Sequence, residues 1–453
     1  MQFKLSKYTV LSDTFPGPGD ESLKVLYSSR TGQALTIKGE LLPLLQAGET
    51  GRLDYDELEQ LIGMEALVPA DEDELLTVIE QNRNFLKDNT TLSYIIQPTA
   101  LCQLGCDYCG QEHKRKQLSD SDQEAVLQRI ENKLQSGHYT ALRVSWFGSE
   151  PLMGYSNIRE LTPKLVELAG RHHCAYSAAM VTNGLSLKKN IFDELTRHYA
   201  IRSFEVTLDG IAEFHDQRRH TKEGHSTFDI IFNNILAICN SEDFADSGAE
   251  ISIRCNIDRR NYEGVLPLIR LLANHGLHKK LKFYPSPIHS WGNDAHTLSL
   301  EKKDYAAKET EWILEMIRLG FVVTGLLPSL KRGVCIAVTD DAEVVDAYGN
   351  IYNCTEVPYV PVYENSDYVL GNISRTSPEK IERARSFQDW NTKVLTENNA
   401  CSRCNILPVC GGMCPKSWEE GINACPSNKF NLKEKLVLAY LYTNEAIKDT
   451  VAV

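Results

Sequence analysis

Between residues 92 and 284, apolar runs rich in β-formers alternate with amphipathic helical runs, and an alternation sustained this long admits few folds. Strands are expected at 93–97, 141–147, 174–181, 203–208, 250–256 and 281–284. Helical periodicity occupies 121–134, 158–168, 187–198, 228–238 and 262–274, and Ser121 with Glu124 has the spacing of a capping box for the first of these. Strands alternating with helices pack as parallel β–α units, so an α/β architecture is expected. The flanks read differently. Before residue 92 come extended stretches at 8–11 and 23–27, a turn at Thr31-Gly32, and helices at 54–61 and 71–79. A helix at 304–319 leads to a segment in which seven cysteines lie between Cys335 and Cys425. The expected division is 1–90, 91–290, a linking region at 291–334, a cysteine-rich domain at 335–425 and a C-terminal helix at 426–453.

The formal net charge is −13 with Lys and Arg scattered along the chain, which argues against nucleic acid as the main partner and suits a cationic or neutral peptide better. No apolar run approaches the length of a membrane span, and the opening Met1-Gln2-Phe3-Lys4-Leu5-Ser6-Lys7 lacks the apolar region of a signal peptide. A cytoplasmic location without membrane contact is therefore expected. Thirteen cysteines in that reducing compartment are better explained by metal or redox cofactors than by disulfides.

Cys102, Cys106 and Cys109 form a C-x3-C-x2-C motif just after the first strand of the alternating region. Three thiolates can hold a cluster of four irons and leave one iron without a protein ligand. Zinc is the rival reading, but its structural sites usually present four ligands. His113 could be the fourth, yet it stands in the basic stretch His113-Lys114-Arg115-Lys116, which reads as a solvated loop. The spacing favours the cluster. At this motif the chain resembles the radical S-adenosylmethionine (SAM) enzymes. The resemblance implies a partial (β/α)6 barrel of TIM type, whose strand-end loops carry the site. Trp146-Phe147-Gly148-Ser149-Glu150-Pro151 is similar to the family's Gly-Gly-Glu-Pro motif, with Ser149 in place of the second glycine. The resemblance implies that backbone groups at Gly148 and Ser149, with the Glu150 carboxylate, hold the SAM amino group. It further implies that Asn183 meets the ribose, Thr207 the carboxylate and the Tyr108 backbone the adenine. Arg219 matches the arginine that pairs with the SAM carboxylate, with Arg218 as the alternative. Arg254 and Asn256 end a strand and either reach substrate or cofactor or serve structural salt bridges. Cys174, Cys239 and Cys255 read as small core residues.

The later cysteines run Cys335, Cys354, then Cys401, Cys404, Cys410 and Cys414, and finally Cys425, a pattern that resembles the SPASM domain at every position. The resemblance implies interleaved ligands for two auxiliary clusters: Cys335, Cys354 and Cys414 for the first, and Cys401, Cys404, Cys410 and Cys425 for the second. With the core cluster this makes three [4Fe-4S] clusters, the first auxiliary one with an open iron or a fourth ligand outside these cysteines. The alternative is a zinc ribbon or a pair of zinc knuckles. The N-terminal order of strands and short helices resembles the winged-helix-like recognition element of enzymes that modify ribosomally made peptides; a plain cap on the barrel is the alternative. SAM cleavage in this family yields a radical that takes hydrogen from an unactivated carbon. Three functions follow as expectations: a maturase that installs a thioether, C–C or ether crosslink in a precursor peptide held by its leader; a sulfatase-type maturase that makes formylglycine; and a non-catalytic Fe-S electron relay. Flavodoxin or ferredoxin is the electron donor such an enzyme would use. Asp340, Asp341 and Glu356 are the candidate general bases; sulfatase-type maturases typically carry an Asp right after the second SPASM cysteine, where this chain has Thr355.

Overall fold

The computed structural model describes residues 2–289, 292–383, 387, 389–396 and 399–443. Its N-terminal part holds β1 (Phe3–Leu5), β2 (Thr9–Leu11), β3 (Phe15–Pro16), β4 (Ser22–Ser28) and β5 (Gln33–Lys38). These are followed by α1 (Leu41–Ala47), α2 (Tyr55–Gly63), β6 (Leu67–Pro69) and α3 (Glu74–Lys87). β4 pairs antiparallel with β5 along its length and with β2 and β3 toward its two ends, while β1 pairs with β6. The helix expected at 54–61 forms because Asp54 accepts the Glu57 amide at 2.7 Å and Glu57 reaches back to the Asp54 amide, a reciprocal cap. α3 starts three residues later than expected, where Asp73 accepts from the amides of Leu75 and Leu76, and runs on to Lys87.

The alternating region forms β7 (Thr91–Ile96), α4 (Asp120–Leu134), β8 (Ala141–Trp146), α5 (Tyr155–Arg171), β9 (Ala175–Thr182), α6 (Lys189–His198) and β10 (Ile201–Thr207). After them come α7 (Ala212–Arg218), α8 (Phe228–Cys239), β11 (Glu250–Ile257), α9 (Val265–Asn274), β12 (Lys282–Pro287) and α10 (Lys302–Arg318). β7 to β12 lie side by side in chain order and all pair parallel, as expected of six β–α units. Period-two alternation separates the two faces of each strand. On β11, Ile251, Ile253, Cys255 and Ile257 are buried, while Arg254 and Asn256 project to the other face and line a cavity. Val265, Leu268, Ile269 and Leu272 of α9 bury the matching helical stripe. Each such aliphatic side chain contributes about 1.5–3 kcal/mol when fully buried. Cys174, Cys239 and Cys255 are buried in this same core.

One local expectation is corrected. The cap of α4 is Ser119, whose hydroxyl accepts the Asp122 amide at 3.2 Å, and not Ser121 with Glu124. The helix begins one residue earlier than the apolar periodicity implies, so Ser121 falls inside its first turn.

The central sheet does not end at β7. β13 (Ala342–Val345) pairs parallel with β7, and β14 (Asn350–Tyr352) and β15 (Val369–Asn372) continue antiparallel from it, giving nine strands. Glu343 on β13 is fully buried and is met by Arg129 of α4 at 2.6 and 2.7 Å, by the Tyr94 hydroxyl at 2.9 Å and by Lys133 at 3.2 Å. The cysteine-rich segment is thus built onto the barrel sheet. The C-terminal helix Asn428–Thr443 packs on α10 and on β2 and β4; residues 444–453 of the expected helix lie outside the described residues. Among the described residues no helix is long and apolar enough to cross a membrane.

Candidate functional site

The loop after β7 is pinned across the barrel mouth. Gly105 donates to the His220 carbonyl at 2.9 Å and Asp107 to the Arg218 carbonyl at 3.2 Å, so the loop is anchored to the end of α7. It delivers Cys102, Cys106 and Cys109 to one cavity of about 360 Å3, the size range of small-molecule sites. Gly148, Ser149, Asn183, Thr207, Arg219, Arg254, Asn256 and Glu356 line the same cavity. Burial, followed by the nearby Glu150 charge, pushes the Cys102 thiol up to about 12, and burial pushes Cys109 up to about 11. Burial also raises Cys106, against the opposing pull of Arg219.

Gly148 and Ser149 both take positive φ, +86° and +46°. A Cβ at Gly148 would collide with the side chain of Gln97, so that glycine is required by contact as well as by conformation. Ser149 holds its left-handed turn with its amide donated to Gln111 Oε1 at 3.1 Å. Glu150 is fully buried and accepts from the Thr182 hydroxyl at 2.8 Å, the Asn183 amide at 2.8 Å and the Leu152 amide at 3.0 Å. Its carboxylate braces the end of β8 against the end of β9, and Glu150 is not among the cavity-lining residues. Asn183 is turned by its own Asx contact to the Leu185 amide at 2.9 Å and lies 3.8 Å from Cys102 Sγ through Nδ2.

The two arginines separate by role. Arg219 donates to the Tyr108 hydroxyl at 2.6 Å and faces the cavity. Arg218 is 2 % exposed, donates to the Asn256 carbonyl at 3.1 Å, pairs with Asp258 at 3.2 Å and stacks over the Tyr108 ring. Tyr108 in turn donates to Asp209 at 2.8 Å, and its backbone carbonyl accepts from Asn293 at 3.1 Å. Among the described residues, buried Ser149 Oγ and Arg219 Nε have no hydrogen-bond partner, so the cavity residues keep polar atoms that a SAM-sized ligand can satisfy.

The seven later cysteines fall into two groups. Cys354 feels the charges of Cys414 and Cys335, and Cys335 that of Cys414. Cys401 and Cys410 each feel Cys404 and Cys425. Among the described residues no three His, Cys, Asp or Glu side chains are gathered as around a single metal ion. Of the three candidate bases, Glu356 lines the cavity, within the electrostatic reach of Arg254 and Lys416. Asp340 and Asp341 line a separate cavity with Arg83, Lys87 and His138, and Asp341 accepts from Tyr139 at 2.7 Å and Asn89 at 2.8 Å. His113 lies at the cavity, half-buried, rather than in a fully solvated loop.

Sequence reasoning missed Glu205, Gln111 and His289, all of which line the cavity. Glu205 was findable: it stands two residues before Thr207 on β10, hence on the same face. It accepts from the Tyr284 hydroxyl and pairs with Arg254 at 3.7 Å, so Arg254 serves both a strand-end salt bridge and the cavity wall. Gln111 and His289 carried no local signal.

Comparison with known proteins agrees with this architecture. The radical SAM superfamily matches residues 96–242, and the SPASM iron-sulfur cluster-binding domain matches residues 335–405. The chain thus carries a radical SAM domain and, C-terminal to it, a SPASM domain. It is 23 % identical over 378 residues to the serine-type anaerobic sulfatase-maturating enzyme of Bacteroides thetaiotaomicron, covering 72 % of this chain and 83 % of that protein. It is 21 % identical over 356 residues to the cysteine-type enzyme of Clostridium novyi, covering 73 % and 89 %. Among solved structures, anSMEcpe with bound AdoMet has a TM-score of 0.57 at 20 % identity, covering 79 % of this chain and all 100 % of that one. Streptococcus suis SuiB bound to its precursor peptide SuiA has a TM-score of 0.50 at 13 % identity, covering 94 % and 98 %.

Proposed function

We propose that this enzyme installs a crosslink in a ribosomally made precursor peptide whose leader is held by the N-terminal module. The observation that carries the reading is coverage. The fold shared with SuiB, a protein solved with a precursor peptide, extends over 94 % of the chain, against 79 % for anSMEcpe. The free edge of β5, with exposed Gln33, Ala34, Thr36 and Lys38, offers backbone groups to an extended leader.

In this reading Cys102, Cys106 and Cys109 hold the core cluster; Cys335, Cys354 and Cys414 hold one auxiliary cluster, and Cys401, Cys404, Cys410 and Cys425 the other, three [4Fe-4S] clusters in all. When bound, the core cluster and SAM together supply a 5'-deoxyadenosyl radical that removes hydrogen from the peptide. Arg219 and Thr207 receive the SAM carboxylate, Asn183 the ribose, and the backbone at Gly148 and Ser149 the amino group. Glu150 acts behind them by fixing the β8 and β9 ends that carry those groups. Glu356 is the carboxylate available to take a proton from the substrate, and Arg254, Glu205 and His289 shape the remaining wall. A low-potential flavodoxin or ferredoxin supplies electrons.

A second reading is sulfatase-type maturation, favoured by the identity of the two curated relatives. One experiment separates them. The reconstituted enzyme is offered, anaerobically with SAM and reductant, both a leader-bearing peptide encoded beside its gene and a sulfatase-type peptide. Loss of two hydrogens from the first, with no carbonyl reactive to hydrazine, supports crosslinking. An aldehyde on the second, with the first unchanged, overturns it.

A further inference from the structure

We propose that Lys429 and Tyr8 are positioning residues that raise the reduction potential of the second auxiliary cluster, Lys429 through its contact with the ligand Cys404 and Tyr8 from the apolar group that holds the ligand Cys401. The inference rests on the assignment of Cys401, Cys404, Cys410 and Cys425 to that cluster. Lys429 sits in the first turn of the C-terminal helix and brings its ammonium nitrogen to 2.9 Å from Cys404 Sγ. That is a charge-assisted N–H···S contact from a residue three elements away in the fold. A second lysine approaches the same group from α10: Lys302 donates to the Cys425 carbonyl at 2.9 Å and to the Asn423 carbonyl.

Tyr8 comes from the N-terminal module. It is fully buried, packs in one apolar group with Cys401 and Leu407, and its hydroxyl is buried with no hydrogen-bond partner among the described residues. A buried phenol with an unmet proton, packed in the group that holds a cluster ligand, is able to donate to a ligand or cluster sulfur. In a second apolar group, Val10, Val25 and Tyr27 of the module pack with Ile406, Val409, Cys410 and Leu436, and Ser29 donates to the Asn405 carbonyl. The module therefore forms one wall of this cluster's surroundings.

The physical consequence has a fixed sign. Taking up one electron makes a cluster more negative, and fixed positive charge or hydrogen-bond donors at its sulfurs favour that reduced state. Lys429 and Tyr8 thus hold the cluster easier to reduce than its ligands alone would make it. This suits an electron acceptor for the substrate radical, and it ties that property to the module on the other side of the interface.

The test is an EPR-monitored redox titration of the reconstituted full-length enzyme. The wave belonging to this cluster is identified as the one that disappears, with four irons per chain, in Cys404→Ala. In Lys429→Met that wave moves to a more negative potential, in Lys429→Arg it stays near the wild-type position, and in Tyr8→Phe it moves in the same direction by less. An unmoved wave in Lys429→Met at full iron content overturns the inference alone. Loss of the cluster in both Lys429→Met and Lys429→Gln also overturns it, because the lysine would then hold the site together rather than tune it. Absence of any iron loss in Cys404→Ala overturns the cluster assignment beneath it.

Discussion

Arg218 and Arg219 are adjacent in sequence and face opposite tasks, one tied to Asp258 and the Asn256 carbonyl, the other aimed at the cavity. The pair was visible in the sequence, but which member faces the ligand depends on where α7 stops, at Arg218, with Arg219 already off the helical path at φ −127°. Replacing Arg219 by Gln removes a charged hydrogen-bond donor of about 1.5–3 kcal/mol. SAM affinity, read by calorimetry, then falls roughly ten- to a hundredfold with the unfolding midpoint little changed. Arg218→Ala instead lowers the unfolding midpoint, because the fully buried Asp258 loses one of its two arginine partners and keeps only Arg260, at 2.6 Å. His215 gives a pH signature. It is fully buried, accepts the Asp209 amide on Nδ1 at 3.1 Å and meets the Thr227 hydroxyl with Nε2, so the neutral ring is the one that fits. Burial, then the charges of Arg219 and Arg218, holds its pKa well below the usual histidine value. The unfolded chain therefore binds the extra proton first: the contribution of His215 is complete above about pH 6.5 and is lost progressively as pH falls from there toward the depressed folded value. Urea unfolding measured from pH 7 down should show this slope, and His215→Gln should flatten it.

Element by element, local pattern was enough wherever a strand or helix is defined by its own periodicity. The six parallel strands and their helices fall within a few residues of where alternation put them. What alternation could not reveal is which strand becomes whose neighbour. β13 is a four-residue run, and its place beside β7 is decided by long-range pairing with a buried Glu343 that no local rule would put in a sheet. The Arg129, Lys133 and Tyr94 contacts make Glu343 tolerable there, so they also make it costly to disturb. Arg129→Met leaves Glu343 short of its main partner and should destabilise the protein by about 3–5 kcal/mol in denaturant unfolding. The Ser119 cap is smaller: Ser119→Ala should cost about 1 kcal/mol, whereas Ser121→Ala should stay close to neutral. That contrast checks the corrected start of α4.

For the whole molecule, the cysteine spacing made the radical SAM and SPASM domains legible long before the geometry, because a cysteine motif is local in the sequence. The way the N-terminal module leans on the SPASM domain was not legible, since Tyr8, Val10 and Tyr27 read as ordinary strand residues until their partners, more than three hundred residues away, are known. Deleting residues 2–88 bares that apolar face. On the proposed cluster assignment, iron analysis of the truncated chain should show loss from the second auxiliary cluster while the core cluster, whose ligand loop Gly105 and Asp107 pin across the barrel mouth, is retained. The central claim is that this enzyme aims a SAM-derived radical at a carbon of a leader-bearing peptide. The most direct measurement is deuterium transfer: the precursor peptide is made with deuterated side chains, turned over anaerobically, and the 5'-deoxyadenosine is weighed. The account predicts one deuterium in 5'-deoxyadenosine, dependent on the leader. Formation of 5'-deoxyadenosine without deuterium, at a rate the peptide does not change, would contradict it.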